Sequence, residues 1–373
     1  KLLESGEAVD ARDCHQDYML QIAEAAEQRM FGSESLEWLD QMEMEHDNLR
    51  AALEWAVAAQ IEKAVRLALA IGGYWTSRDY NSEARSWCRT ILERSEPLTG
   101  MESDRAKLYA LWGWSSITTG NHKEGFAVSQ AGLELARQVD DPQSIVRLLI
   151  VKGLSTTFIG EFSTALEALE EGVQIARQYK LKGELAMALT GHSQAMYYGR
   201  KDVSAIRDEL QEATRLAGEA GFQWASSMSK YGLGILAGRL GDLETARLRM
   251  NESAALAAHF GNKRIGLSSR SELAHILRER GLLDEAYEIY KEVIPGWKEL
   301  GHRAAIAHEL ECIAFILVQR EEAERAATLL GAAEALREII DTDMTSVERA
   351  EYGKEVAALR AVMADSDFDR LWS

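Results

Sequence analysis

The sequence predicts an all-α protein, a right-handed α-α superhelix of about seven helix pairs, on three observations. Proline is nearly absent, 3 in 373 residues, where a globular chain of this length carries roughly eighteen. Small residues recur every 40 or 41 positions in two columns that drift together. A third column, lying between those two, is rich in glycine.

Proline breaks helix interiors and is excluded from central strands, so its scarcity beside abundant Ala, Leu, Glu and Arg favours helix nearly throughout. The first small column runs Gly72, Gly113, Gly153, Ser193, Gly234, Ala274, Ala314, at intervals of 41, 40, 40, 41, 40 and 40. The second runs Ala84, Gly125, Ala165, Ala205, Ala246, Ala286, Ala326, always 12 residues later. Glycine inside a helix costs about 1 kcal/mol relative to alanine. Its repetition at one position therefore implies close approach of a neighbouring helix, and the small residue 12 positions on is the expected partner. The breaker column is Asp79, Gly120, Gly160, Arg200, Gly241, Gly281, Glu321. It marks the turn within each pair, where a left-handed residue ends the first helix.

The elements follow in order. Residues 1–60 read as two helical stretches, about 12–30 and 34–58, with Ser33, Leu36 and Glu37 marking the second start. Seven helix pairs then occupy 61–343. Pro97 and Pro142 fall in connections, whereas Pro295 lies late in a second helix and is expected to kink or shorten it. Residues 344–373 read as C-terminal capping helices: Thr345 and Glu348 form a capping-box pattern, and Phe368, Leu371 and Trp372 cover the last repeat.

The small–x6–Gly–x4–Ala spacing resembles the tetratricopeptide repeat, lengthened from its usual period of 34 to 40. HEAT and armadillo arrays, with periods of about 40–47, are the structural alternative. The flanking segments EWLDQMEMEHDNLRAALEWAV and ERAATLLGAAEALREII resemble the C-terminal sensor region of bacterial signal-transduction ATPases with numerous domains. That group includes LuxR-type and SARP-type regulators and relatives of the maltose-regulon activator. The resemblance implies a non-catalytic ligand- or protein-binding sensor, joined through residues 1–60 to an ATPase and winged-helix part of the same parent chain. It implies an inducer of unknown identity, small molecule or protein, and homo-oligomerisation on activation. The alternative is a stand-alone adaptor that binds a peptide in its concave groove. The chain opens at Lys1, which reads as a piece of a longer protein.

Composition excludes several classes. The formal charge is −18, which repels phosphate backbones and argues against direct contact with nucleic acid. No stretch approaches the roughly 20 apolar residues of a membrane span. Three dispersed cysteines, with no CxxC, point to a reducing, cytoplasmic setting and to no zinc motif. There is no GxxxxGK[ST] loop and no HExxH. Glu45, His46 and Asp47 are consecutive, point to different faces of a helix and cannot converge on one ion. His15, His192, His275 and His308 read as scattered. The expectations are no enzyme activity, no cofactor and no metal.

What remains is the groove. Its candidate lining is Trp114, Arg147, Phe158, Gln194, Tyr197, Tyr198, Tyr231, Arg239, His275 and Arg278, flanked by Lys107, Leu154, Met228, Ile235, Glu272 and Phe315. Aromatics and arginines together suit a sugar, a nucleotide-like effector or an acidic peptide. For any one aromatic the alternative is packing between neighbouring helices. Tyr197, Tyr231 and Arg239 are expected to share one site.

Overall fold

The computed structural model describes residues 8–27, 29, 35–340 and 346–372. Among these there are nineteen helices and no strand. Three precede the repeats: α1 (Ala8–Glu27), α2 (Ser35–Met44) and α3 (His46–Ala59). The first four pairs are α4 (Ile61–Ser77) with α5 (Asn81–Ser95), α6 (Glu102–Thr118) with α7 (His122–Gln138), α8 (Pro142–Ile159) with α9 (Phe162–Gln178), and α10 (Lys182–Tyr198) with α11 (Val203–Glu219). Three more follow: α12 (Gln223–Leu240) with α13 (Leu243–His259), α14 (Lys263–Glu279) with α15 (Leu283–Glu299), and α16 (Arg303–Gln319) with α17 (Ala323–Ile340). Helices α18 (Ser346–Val362) and α19 (Asp365–Trp372) close the chain. This is a tetratricopeptide-like helical-repeat solenoid. No helix of the described residues is long and apolar enough to cross a membrane.

The expected stretch 34–58 divides at Glu45 (φ −95°, ψ 6°) into α2 and α3. Ser33 and Thr345 lie outside the described residues. Pro295 does not end its helix, because α15 continues to Glu299. Pro142 opens α8 at its first turn, where a missing N–H costs nothing, and the Asp141 carboxylate accepts the Ser144 N–H at 3.1 Å.

All seven breaker positions have positive φ, from Arg200 at 53° to Gly160 at 93°. A second series not foreseen from sequence, Gly100, Asp140, Lys180, Gly221, Gly261 and Gly301, does the same at the turns between pairs. A left-handed residue thus sits at each of these turns, about every 20 positions; from Gly120 onward its amide bonds back into the last turn of the preceding helix, whereas the Gly100 amide donates to Glu102 Oε1 at 3.1 Å.

The two small columns make room chiefly for large side chains, not for each other. A Cβ on Gly113 would lie 2.5 Å from Val151 Cγ1, and one on Gly234 would lie 2.9 Å from Met250 Cε. A direct approach within a pair occurs at Gly125, whose added Cβ would be 3.5 Å from the Gly113 carbonyl oxygen. Ala205 is exposed.

The chain divides into two compact units, the first 1–233 with 256–262 and the second 234–255 with 263–373. In the first, Tyr74, Trp75, Leu53 and Ile91 are fully buried where α3, α4 and α5 meet. His46 is also buried, its Nδ1 2.6 Å from the Tyr74 hydroxyl and its ring stacked on Tyr80 at 4.2 Å. It therefore packs the N-terminal helices onto the repeats. In the second, Tyr290, Trp297 and Phe315 form the interior, and Phe368 of α19 is buried with Trp372 stacked on it at 4.6 Å.

Candidate binding surface

First helices end beside the left-handed turns, and in two consecutive pairs of the first unit the last turn carries an exposed aromatic. Phe158 closes α8 and Tyr198 closes α10, 40 residues apart, with 44% and 49% of their surfaces exposed. His122, at the start of α7, stacks on Phe158 with ring centres 4.6 Å apart and planes 19° apart. Phe158 and Tyr198 are 6.4 Å apart, and Tyr198 meets the half-buried Tyr197 edge-on at 5.6 Å. The four rings make one ladder across three helix pairs. Burial holds the His122 pKa below its ordinary range, so the ring that stacks is the neutral imidazole. Lys123, Arg200 and Lys201 adjoin the ladder in sequence, as do Glu124, Glu161 and Asp202. Exposed large rings lined up in this way are what contact surfaces present.

Several other expected lining residues make contacts within the protein. Trp114 of α6 meets Trp224 of α12 edge-on at 4.8 Å and packs against the core, half-buried. Arg147 is bound to Glu184 of α10 at 2.8 Å, and Gln143 donates to the same carboxylate oxygen at 2.6 Å. Gln194 and Tyr231 are half-buried. Arg239 is exposed and falls in the second unit, while Tyr231 falls in the first. Near Arg239, the Arg280 guanidinium donates to the carbonyls of Gly238 at 2.8 Å and Arg239 at 3.3 Å, capping the end of α12.

The remaining two, His275 and Arg278, share α14 in the second unit. Arg278 is bound to Glu351 of α18 at 2.7 Å, with its guanidinium 5.5 Å from the Phe315 ring centre. Helix α18 thereby covers it.

His275 shows that the histidines are not scattered. Its Nε2 is 3.0 Å from His308 Nε2, its Nδ1 is 2.9 Å from the Tyr290 hydroxyl, and Cys312 Sγ lies 3.7 Å from that Nδ1. Burial, then His308 and Arg278, keep His275 well below its usual pKa. Burial also disfavours charge on His308, but Cys312, Glu311 and Glu309 outweigh it and raise its pKa well above the usual range. The linear signal for this cluster is the i, i+4 spacing of His308 and Cys312; His275, 33 residues earlier, is brought in only by the repeat.

No protein-family model matches the chain. Over 284 residues, 73% of the chain, it is 28% identical to the "Putative HTH-type transcriptional regulator Rv0890c" of Mycobacterium tuberculosis. A Mycobacterium bovis protein of the same description is similar to the same extent. The match covers 32% of those proteins, so the chain spans about a third of the length of the curated relatives it matches. Among solved structures, the Rap conjugation gene regulator of plasmid pLS20, in complex with the Phr* peptide, is similar over 87% of this chain and 96% of its own. The TM-score is 0.57 and the identity 12%. A signal-transduction ATPase with numerous domains from Pyrococcus horikoshii, which carries a tetratricopeptide repeat sensor, is similar over 88% of this chain and 52% of its own, with TM-score 0.53 and 13% identity. At these identities the likeness speaks for the fold.

Proposed function

We propose that this chain is the non-catalytic effector-binding sensor of a multidomain bacterial signal-transduction regulator. The observation that carries this reading is the ladder His122–Phe158–Tyr198–Tyr197, an aromatic surface with two exposed rings on a solenoid. The chain's similarity to transcriptional regulators of which the match covers 32% supports a parent chain with further domains. The likeness of the flanking segments to signalling ATPases makes a nucleotide-binding and winged-helix part the expected neighbour. In this reading residues 1–60 connect to that part, 61–343 sense and 344–373 cap. The effector carries a flat or apolar group that stacks on these rings, as a peptide side chain or a nucleotide-like molecule does. Its differential affinity for resting and active states supplies the energy of switching.

The test uses the isolated chain and the full-length parent. The isolated chain is expected neither to bind nor to hydrolyse ATP. In the parent, the Phe158→Ala/Tyr198→Ala pair is expected to retain basal ATP turnover and to lose the increase evoked by effector. ATP turnover by the isolated chain, a parent without a nucleotide-binding domain, or an unchanged effector response in the double variant refutes the proposal.

A further inference from the structure

In the second unit, α14 and α16 are first helices of consecutive pairs, and their facing sides bring together three side chains that bind transition metals. His308 and Cys312 are separated by one turn of α16 and share a face. His275 projects from α14 to the same point, and one donor atom from each of the three residues lies within 4.8 Å of the others. We propose that His275 Nε2, His308 Nε2 and Cys312 Sγ form a site for one zinc ion, with a fourth position left open.

The distances suit the ion. Tetrahedral zinc with bonds of about 2.0–2.1 Å to nitrogen and about 2.3 Å to sulfur needs edges of roughly 3.3 Å between nitrogens and 3.6 Å between nitrogen and sulfur. The two Nε2 atoms are 3.0 Å apart, and Cys312 Sγ is 4.0 Å from His308 Nε2. Cys312 Sγ is 3.7 Å from His275 Nδ1, so bringing it beside Nε2 requires the thiol or the His275 ring to rotate as the ion enters. Two imidazoles and a thiolate are soft-to-borderline donors, which select zinc over magnesium or calcium.

The surroundings favour a ligand role as well. The two Nε2 atoms face each other, and each Nδ1 has an oxygen nearby, the His275 Nδ1 lying also 3.7 Å from Cys312 Sγ. That of His275 is 2.9 Å from the Tyr290 hydroxyl, and that of His308 is 3.6 Å from Glu311 Oε2. Glu311 is itself held by Arg337 through bonds of 2.6 and 2.8 Å. A hydrogen-bonded oxygen on the distal ring nitrogen orients metal-binding histidines; Tyr290 makes that bond to His275, whereas Glu311 stands at ion-pair distance from His308. The nearby Arg278 is balanced by Glu351 at 2.7 Å, so its charge does not stand alone against a cation. Access exists on one side: Cys312 is fully buried, whereas the His308 side chain is 31% exposed. This site is separate from the aromatic ladder and does not depend on the sensor reading.

Cobalt(II) is the probe, added to the full chain kept reduced. One equivalent is expected to produce the near-ultraviolet thiolate-to-cobalt band and the strong visible absorption of a tetrahedral site, and zinc should displace both. Cys312→Ser should remove the thiolate band, Cys14→Ser should keep it, and His308→Gln should abolish tight binding. Tyr290→Phe, which touches no ion, should weaken affinity about 10–100-fold. Circular dichroism checks that each variant folds; if Cys312→Ser does not, His308→Gln and Tyr290→Phe carry the test. Absence of a thiolate band in the wild type, its survival in Cys312→Ser, or affinity unchanged in both His308→Gln and Tyr290→Phe overturns the site.

Discussion

Gly153 is the sharpest place to test how these helix pairs pack. In the middle of α8 an alanine should help, because glycine costs a helix interior about 1 kcal/mol. Here the added Cβ would lie 2.7 Å from Leu169 Cδ1 and 2.9 Å from Cδ2, with Cγ closer still. No single rotation clears all three atoms, and Leu169 is fully buried with nowhere to retreat. Overpacking of this kind costs about 1–3 kcal/mol. The net expectation for Gly153→Ala is therefore destabilisation, of about 1–2 kcal/mol at the upper end of that range. Leu169→Ala alone should cost about 2–5 kcal/mol. In that background Gly153→Ala should become neutral or stabilising by up to about 1 kcal/mol, since the obstruction is gone and only the helix preference remains. Denaturant unfolding followed by circular dichroism measures all four corners of the cycle. If Gly153→Ala is as stable as wild type, or if the two changes simply add, glycine is not at this position to admit Leu169.

Three further expectations are open to the same methods. Gly160→Ala should cost about 1–2 kcal/mol although nothing lies within 4 Å of the added Cβ, because φ is 93°, whereas Arg200→Gly at 53° should not destabilise. Phe158→Ala and Tyr198→Ala should each shift stability by under about 1 kcal/mol, their rings being half in solvent, and a large drop for either would make it a packing residue. Glu83, Glu124 and Glu311 ionise below the ordinary 4.5 because, against the opposing effect of burial, Arg50, Arg85 and Arg337 hold their carboxylates. Their stabilisation is present above pH 4.5 and lost as pH falls through the depressed values, with Glu309, raised by burial, working the other way. Unfolding midpoints that do not fall between pH 5 and 3 would contradict that balance.

The repeat was legible in the chain alone, because each pair meets the same steric demand and so writes the same residue every 40 positions. Left-handed turns require glycine or a tolerated substitute, and the column from Asp79 to Glu321 shows both. Phe158 and Tyr198 were legible as candidate lining aromatics, but which of the candidates are exposed was not. Whether Trp114 faces solvent depends on Trp224, 110 positions away, and whether Arg147 is available depends on Glu184. Periodicity specifies which face of a helix a side chain occupies, but not what another helix has already placed against it. The histidine cluster is the clearest case. One turn of helix joins His308 to Cys312, a local relation that sequence contains. The meeting of His275 with that pair, and the placing of Tyr290 and Glu311 behind the two rings, belongs to tertiary structure, because it depends on how neighbouring helices are rotated against one another about their axes.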